Sequence, residues 1–326
     1  MIYLRNDSKD PHYNLAFEEY VFRDFCKDDP VLLLWQNEPS VIIGRHQNTV
    51  EEINSDFISA GSIHVVRRIT GGGAVYHDLG NLNYSFLIPK AKADLDFRAF
   101  TTPLVSALQN LGIQAEQTGR NDVTIEGKKI SGNAQHYQNG ILLHHGTILF
   151  DSDLDCVKQA LRVKPGKIES KGIKSVRSRV ANIRPYLKRD MTIEAFKAYL
   201  LEAFSQREDL RYYQLSDLEE KEVRRLADGK YRTHRWNYGY APKCSLTRSG
   251  YFEGGFVEIR LDVEAGKIAN MKVFGDYFSL RDTREFEQMF IGLDYSRQAV
   301  SHRLEGVCVS EFFKGITRKQ IERLIF

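Results

Sequence analysis

The stretch at residues 67–81 reads RRITGGGAVYHDLGN, and it places three consecutive glycines between two predicted strands. Glycine loses more backbone entropy on ordering than any other residue, so this run weakens the local fold. In return, a ligand can approach the backbone closely, and its N–H groups are free to bind an anion. Arg67 and Arg68 directly upstream add fixed positive charge suited to a phosphate or a carboxylate. The stretch therefore predicts an anion-binding loop.

A flexible glycine hairpin with solvated arginines is the structural alternative for such a loop. His77, Asp78 and Asn81 add polar groups that a simple turn does not need, and this favours a ligand site. The loop has neither the G-x-x-x-x-G-K-S/T spacing of a P-loop nor the G-x-G-x-x-G spacing of a dinucleotide-binding fold. A standard nucleotide-binding fold is therefore disfavoured.

A second candidate segment, at residues 126–134, reads EGKKISGNA. Glu126 and Gly127 predict a hairpin turn, so Lys129 falls early on the outgoing strand, which we expect to be an edge strand. Lysines at such positions are usually solvated, so a functional role for Lys129 can be inferred only if the segment matches a larger sequence motif. The small residues that follow it leave room for a ligand against the backbone.

A third candidate segment, at residues 144–150, reads HHGTILF. Adjacent histidines on a strand point to opposite faces, so one of His144 and His145 is expected to face a pocket and the other solvent. The two cannot easily bind one metal ion, and no H-x-x-x-H or carboxylate spacing accompanies them. The pair does not indicate a metal centre.

Composition and charge bound what the chain can be. It has 326 residues, 42% hydrophobic and 27% charged, which is typical of a folded globular protein whose length favours two domains. The net charge of +3 gives no nucleic-acid signature. We find neither a secretory signal nor an apolar run of about 20 residues, so no membrane partner is expected. Four scattered cysteines without a C-x-x-C pair favour a reduced, cytoplasmic protein.

Strand-like and helix-like runs interleave over the first 160 residues, which predicts an α+β fold with a mixed sheet flanked by helices. The predicted strands are residues 31–35, 41–43, 63–66, 83–88 and 141–150, and the predicted helices are residues 15–25 and 100–111. Asn14 is the expected N-cap of the first helix. Asp190 is the expected cap of a later helix that has Phe196 on its apolar face.

Residues 244–326 are predicted to form a small α+β accessory domain behind a first domain of residues 1–243. Hydrophobic side chains at 257, 259, 261 and 263 alternate with charged ones, as expected of a half-buried strand whose hairpin partner is residues 268–274. Thr317 and Gln320 predict a capping box at the start of the last helix.

Four segments taken together resemble the lipoate–protein ligase A family in order and spacing: RRITGGGAVYHDLGN, GKKISGNA, HHGTILFDSDL and GIKSVRSRVANI. The tail around residues 236–239, 254–263 and 274–277 is similar to that family's C-terminal accessory domain. The resemblance spans nearly the whole chain and implies the biotin/lipoate ligase catalytic fold in the first domain. It also implies an enzyme that joins free lipoate to ATP as lipoyl-AMP, releasing pyrophosphate. The lipoyl group then passes to a specific lysine of a lipoyl acceptor domain, in 2-oxoacid dehydrogenase complexes or the glycine cleavage H protein.

The resemblance implies roles for individual residues. Lys129, the lysine of K-x-x-G-x-A, is expected to be catalytic and to hold the lipoyl carboxyl group beside the α-phosphate. A cation suits this step because a carboxylate attacking a phosphate must overcome like-charge repulsion. The expected ATP- and adenylate-binding residues are Arg68, Gly73, Ala74, Val75, Tyr76, Asn81, Asp122 and Lys129. The expected lipoate-binding residues are His77, Lys129 and His145.

Two further features follow from the same resemblance. Asp122 is a candidate ligand for Mg²⁺, the cofactor expected with ATP. The basic segment at residues 171–189 is expected to lie over the adenylate or to face an acidic acceptor, with an ordinary solvated loop as the alternative.

Several other functions remain open from the residues. The nearest is an ATP-independent octanoyl or lipoyl transferase of the same fold, whose relatives commonly use a cysteine nucleophile. Cys156 is the cysteine nearest the motifs, but it lies in a predicted amphipathic helix at residues 153–161. A biotin ligase and a non-catalytic lipoate- or adenylate-sensing protein are further alternatives. An RNA-binding role for the basic segment lacks an aromatic stacking motif.

Overall fold

The computed structural model describes residues 1–92, 94–162, 180–205, 210–238, 246–264, 267–295 and 297–325. Within these ranges the strands are β1 (Ile2–Leu4), β2 (Val31–Trp35), β3 (Ser40–Ile43), β4 (His64–Arg67), β5 (Val75–His77), β6 (Asn81–Ile88), β7 (Ala115–Thr118), β8 (Asp122–Ile125), β9 (Lys128–Gln138), β10 (Ile141–Leu149), β11 (Arg211–Tyr213), β12 (Leu246–Phe252), β13 (Gly255–Glu264) and β14 (Lys267–Gly275).

The α-helices are α1 (Pro11–Tyr20), α2 (Thr49–Glu52), α3 (Ser55–Ala60), α4 (Arg98–Asn110), α5 (Leu154–Ala160), α6 (Ile193–Ser205), α7 (Asp217–Leu226), α8 (His234–Asn237), α9 (Thr283–Gln288), α10 (Arg297–Glu305), α11 (Val309–Phe312) and α12 (Arg318–Ile325). No helix in the described ranges is long and apolar enough to cross a membrane.

Two features predicted from the sequence lie outside the described residues. These are the domain boundary at 243/244 and residues 171–179 of the basic segment. Both stay predictions.

Eight strands form one mixed sheet in the order β11-β1-β2-β6-β10-β9-β8-β7. β1 runs parallel to β2 and β11, and the other neighbours are antiparallel. Every residue of β2 is buried, because helices cover both faces of the sheet. Leu104 of α4 and Phe196 of α6 pack on one face, and Phe17 of α1 and Val223 of α7 pack on the other. The predicted mixed sheet with flanking helices is confirmed.

A second sheet of three strands carries the glycine loop. β3 lies in its middle, parallel to β4 and antiparallel to β5, and the loop joins β4 to β5. Val41, Ile43 and Tyr76 of this sheet form a buried cluster with residues of α3 and α5, including Val157. The loop is thereby anchored at both ends by strands of a packed sheet.

The C-terminal residues form a separate antiparallel sheet in the order β12-β13-β14, covered by helices α9 to α12. Val257, Ile259 and Leu261 are buried, as their alternation with charged residues predicts. The backbone N–H of Thr317 donates to Oε1 of Gln320 (2.7 Å), and the backbone N–H of Gln320 faces the hydroxyl of Thr317, so the predicted capping box forms. The predicted α+β accessory domain is present.

Two other predicted N-caps, Asn14 and Asp190, are wrong. Asp10 caps α1 by accepting the backbone N–H of His12 (2.9 Å), and Asn14 lies inside the helix with its amide bonded to buried backbone and side-chain oxygens. Asp190 instead accepts two N–H groups of Arg184, and the hydroxyl of Thr192 accepts the backbone N–H at the start of α6. In each case, a side chain close in sequence to the cap position has a stronger partner elsewhere.

His144 is buried rather than exposed to solvent, which corrects the prediction for the histidine pair. The large sheet is covered on both faces, so both sides of β10 point into packed regions. The ring of His144 stacks on Phe100 with centroids 4.8 Å apart and lies beside Phe97 and Tyr84. Burial lowers the pKa of His144 well below its usual range, so the folded core holds a neutral ring.

We expect acidification below about pH 6.5 to destabilise the protein through this residue. Above that pH the ring is neutral in both states, whereas below it the unfolded chain takes up a proton that the folded core excludes. The free energy of unfolding then falls by up to about 1.4 kcal/mol per pH unit for one such histidine.

Urea unfolding of the wild type and of His144→Phe at about pH 7.5 and about pH 5.5 measures this effect. The loss of unfolding free energy on acidification is expected to be smaller in the variant. Gln135, whose amide contacts His144, keeps the carbonyl of Asp96 as an acceptor (2.7 Å). An equal loss in both proteins contradicts the prediction.

Candidate active site

A cavity of about 280 Å³ lies between the glycine loop and strands β9 and β10 of the large sheet. Its lining divides into two kinds of surface. Leu15, Trp35 and Ile42 belong to one buried apolar cluster, which Val75 extends. The charged lining residues are Arg68, Arg120, Asp122, Lys129 and Asp276. A molecule with an apolar part and an anionic part would match both surfaces.

The buried side chain of Arg68 stabilises the glycine loop through hydrogen bonds. This side chain is 5% exposed, and its guanidinium donates to the carbonyl oxygens of Ile42, Gly71 and Gly73 and to the hydroxyl of Thr70. Burial lowers the pKa of Arg68 to about 10, so the group stays protonated near neutral pH. Because the loop carbonyls face this cation, they do not repel an anion in the cavity. Gly72 has a φ of 90°, a backbone conformation that favours glycine.

Lys129 lies at the start of β9 with its ammonium 2.8 Å from the carboxylate of Asp122. The predicted edge strand is wrong, because β9 pairs with both β8 and β10, and the carbonyl of Lys129 accepts the N–H of Ala181 (2.9 Å). About a third of each side chain of the pair is exposed, so the ammonium is accessible from the cavity. Gly132 leaves the space that the lysine chain occupies, since a Cβ there would lie 2.6 Å from Nζ.

His145 is oriented by partners on both ring nitrogens. Nδ1 lies 2.9 and 3.0 Å from the two carboxylate oxygens of Glu18, and Nε2 lies 2.8 Å from the hydroxyl of Thr70. Glu18 is 1% exposed and also accepts the hydroxyl of Ser85 (2.6 Å). This series of hydrogen bonds links Glu18 of α1, which packs on the large sheet, to the glycine loop, because the hydroxyl of Thr70 also accepts an N–H of Arg68.

His77 presents a buried donor to the cavity. Its Nδ1 lies 3.0 Å from the amide nitrogen of Asn37, whose oxygen is taken by Asn14, so the ring proton belongs on Nε2. Burial, with help from Arg68 and His145, lowers the pKa of His77 to about 3, so the ring is neutral. In the described part of the chain, Nε2 has no hydrogen-bond partner.

Most of the predicted site residues meet in this cavity. Its lining includes Arg68, Gly73, Ala74, Val75, His77, Asp122, Lys129 and His145. Two predicted adenylate-binding residues lie outside it. Alternation along β5 turns Tyr76 away from Val75 and His77 into the cluster around Val41. Asn81 is fully buried, and its amide donates to Asn83, which does line the cavity.

Other lining residues were missed from the sequence. Lining residues without a sequence prediction include Leu15, Trp35, Asn83, Arg120, Asn133, Thr147 and Asp276. Strand register could have found two of them, since Thr147 shares a face with His145 and pairs with Asn83 across β6 and β10. Glu18, the partner of His145, could also have been identified from the sequence, because it is a charged residue inside the apolar pattern of the first predicted helix. Asp276 lies in the segment at 274–277 that resembles the accessory domain, but nothing in that segment assigns it to this cavity.

Comparison with known proteins decides the family. Residues 10–205 match the family model of the lipoyl protein ligase A/B catalytic domain, and residues 241–325 match that of the bacterial lipoate protein ligase C-terminus. The chain belongs to the lipoate–protein ligase family. The lipoate-protein ligase LplJ of Bacillus subtilis is 43% identical over 332 aligned positions that cover 100% of both chains. This protein is therefore a lipoate–protein ligase.

Solved structures show the same fold. LipL1 of P. falciparum, solved in complex with lipoate, superposes with a TM-score of 0.81 at 26% identity and covers 94% of each chain. A lipoate-protein ligase A bound with ATP has a TM-score of 0.64 at 32% identity, covering 73% of this chain and 98% of its own. A bipartite ligase of Thermoplasma acidophilum, described with its E2 lipoyl domain, has a TM-score of 0.66 at 35% identity, covering 75% and 98%.

Substituting Gly132→Ala is expected to reduce activity of the ligase by displacing Lys129. The new Cβ would lie 2.6 Å from Nζ and 2.7 Å from Cε of Lys129, so the end of the lysine side chain must shift from its position beside Asp122. A displacement of this size costs about 10- to 100-fold in rate when the group orients a reactant. The flexible end of a lysine moves easily, so the thermal unfolding midpoint changes little.

The rate of lipoylation of an acceptor domain measures the effect. Gly229→Ala is the matched control, because a Cβ at Gly229 meets open space. Wild-type activity in Gly132→Ala would show that the position of this ammonium is not important.

Proposed function

We propose that this ligase activates free lipoate with ATP and transfers the lipoyl group from lipoyl-AMP to a lysine of an acceptor lipoyl domain. In the first step a carboxylate oxygen of lipoate attacks the α-phosphorus, and the bond from that phosphorus to the pyrophosphate oxygen breaks. In the second step the acceptor amine attacks the acyl carbon, AMP leaves, and the amine loses a proton. One observation carries the proposal: a single cavity joins an apolar cluster to a cation beside a glycine loop.

The apolar cluster suits the hydrocarbon chain and dithiolane ring of lipoate. Leu15, Trp35 and Ile42 are buried neighbours, so a chain lying against them loses contact with water. His77 adds a neutral N–H that lacks a partner within the described residues and is free to donate to the bound molecule. A solved relative that is described in complex with lipoate supports this assignment.

The cationic part of the cavity suits the reacting groups. Lys129 would neutralise the lipoyl carboxylate and the α-phosphate together, which lowers their repulsion and brings them into contact. Asp122 holds the ammonium toward the cavity at 2.8 Å. The loop at Gly73, Ala74 and Val75 allows the adenylate to approach the backbone, with Arg68 holding the loop in shape.

Mg²⁺ fits the donor set at this site. Nucleotide-bound Mg²⁺ is usually held by one or two carboxylates plus substrate phosphates, rather than by a full protein cage. The described residues contain no cluster of three His, Cys, Asp or Glu side chains, and the carboxylates among the lining residues are those of Asp122 and Asp276. Asp122 would hold the ion, and the ion would supply positive charge beside the phosphates.

The transfer step needs positioning more than a strong base. A mixed anhydride is already a good acyl donor, so placing the acceptor lysine against it supplies most of the rate. We infer that the acceptors are lipoyl domains of 2-oxoacid dehydrogenase complexes and the glycine cleavage H protein. The Thermoplasma ligase described with its E2 lipoyl domain supports this class of partner.

The cysteines argue against the ATP-independent transferase. Cys156 packs beside the small sheet, and among the described cysteines neither it, Cys26 nor Cys308 lines the cavity. Burial and the neighbouring Asp153 raise the pKa of the Cys156 thiol, which lowers its thiolate fraction. A covalent acyl–cysteine step therefore lacks a nucleophile in the described part of the cavity.

Exchange of labelled pyrophosphate into ATP, with Mg²⁺ and with or without lipoate, tests the proposed function. We expect exchange that depends on lipoate, and we expect Lys129→Ala to abolish it because the cation between carboxylate and phosphate is lost. Lys128→Ala is the matched control, since Lys128 is the neighbouring lysine on the same hairpin and its side chain alternates to the other face.

Two results would overturn these assignments separately. Absence of exchange from folded wild-type protein would remove the adenylate mechanism and leave the acyltransferase. Wild-type exchange in Lys129→Ala would keep the mechanism and remove Lys129 from it. Thermal unfolding of each variant confirms that the fold is intact.

A further inference from the structure

Arg120 is a third cation at the cavity, beside Arg68 and Lys129, and the accessory domain holds it. It lies in the turn between β7 and β8 of the large sheet, next to Asn121 and Asp122. Its guanidinium donates to the carbonyl oxygen of Gly254 and lies over the ring of Phe278, 4.4 Å from the centroid. Both partners belong to the accessory domain, so this side chain joins the two parts of the molecule at the cavity wall.

The other cations of the cavity, Arg68 and Lys129, already have partners within the protein. The N–H groups of Arg68 are largely used by loop carbonyls and Thr70, and Lys129 is paired with Asp122. Within the described ranges, Arg120 makes one hydrogen bond and no ion pair closer than 4.0 Å. Most of its five N–H groups therefore remain available to a ligand.

The surroundings of Arg120 strengthen the attraction between its positive charge and an anion in the cavity. Burial lowers the pKa of Arg120, while the nearby carboxylates of Asp276 and Asp122 raise it. An arginine remains protonated under these conditions, so a partly dehydrated cation faces the cavity. Electrostatic attraction to an anion is stronger in such a place than in bulk water.

We propose that Arg120 binds the β- and γ-phosphates of ATP, the part that leaves as pyrophosphate. This role rests on the proposed adenylation of lipoate. Lipoate occupies the apolar surface, and Lys129 serves the carboxylate and the α-phosphate, so the remaining phosphates need another cation on the charged side. The planar guanidinium matches a phosphate with two parallel N–H bonds, and charge on the leaving group grows as the bond to the α-phosphorus breaks.

Phe278 and Gly254 are positioning residues for this guanidinium. Phe278 is fully buried and packs against Phe97 of the catalytic domain with ring centroids 5.0 Å apart. Its segment is also tied down by the N–H of Gly275, which donates to the carbonyl of His46 (2.7 Å). The stack and the carbonyl bond fix the plane of the guanidinium before ATP arrives, which reduces the entropy lost on binding.

Lipoyl-AMP has no β- or γ-phosphate, so the two half-reactions should differ in their need for Arg120. In lipoate-dependent pyrophosphate exchange, we expect Arg120→Met to raise the KM for ATP and lower kcat, with kcat/KM falling about 10- to 100-fold. Arg120→Lys keeps the charge without the planar fork and should fall between the wild type and Arg120→Met. Transfer of the lipoyl group from synthetic lipoyl-AMP to an acceptor domain should stay within about twofold of wild type.

Lys314→Met is the matched control. Lys314 forms an exposed ion pair with Asp94 across the same domain boundary (3.3 Å), but it does not line the cavity. Both half-reactions should be unchanged in this variant, because exposed ion pairs contribute little to stability. A loss of exchange in Lys314→Met as large as in Arg120→Met would place the effect in the domain boundary and overturn the phosphate role.

The remaining outcomes separate the two proposals. Wild-type exchange kinetics in Arg120→Met would overturn the role of Arg120 and leave the adenylation mechanism standing. Equal losses of exchange and transfer would also overturn it, since the role is specific to ATP. If the folded wild type shows no exchange, the adenylation mechanism falls and this role falls with it. Should Arg120→Met fail to fold, Arg120→Lys gives the same comparison.

Discussion

The buried guanidinium of Arg68 is the interaction on which the site depends. Three consecutive glycines have high conformational freedom, and the loop keeps one shape because Ile42, Gly71 and Gly73 all turn their carbonyl oxygens to this cation. A buried charge without such partners would be strongly unfavourable, whereas each hydrogen bond to a charged group contributes about 1.5–3 kcal/mol. Through Thr70 the same network reaches His145 and orders the opposite wall of the cavity.

The glycine loop also meets the accessory domain, so its composition serves two purposes. The N–H of Gly72 donates to the carbonyl of Tyr277, and a side chain at Gly71 would collide with that same carbonyl. The ring of Tyr277 in turn stacks on the buried His46, with centroids 4.7 Å apart. The loop therefore needs glycine for the close approach of the accessory domain on one side, while its other side lines the cavity.

Much of the architecture was predictable because its signals are local. The alternation around Val257 and Ile259, the apolar run of β2 and the hairpin turn at Glu126 each depend on neighbouring residues, and the structure contains all three. The caps of α1 and α6 and the position of β9 were mispredicted. Asn14 and Asp190 do not cap their helices because their side chains bond to other groups of the folded protein. The order of strands in a sheet depends on pairing between segments that are far apart in the sequence. Neither property can be read from a few neighbouring residues.

The sequence by itself determined the position of the glycine loop, the lysine in its K-x-x-G-x-A setting and the membership of the lipoate–protein ligase family. Tertiary structure alone decided which side chains face the cavity. Glu18 and His145 lie 127 positions apart, and Arg120 and Gly254 lie 134 apart, so only the packing of sheets and domains brings each pair together. Such contacts are set by the geometry with which whole elements bury their apolar faces, and that geometry is not a property of any one segment.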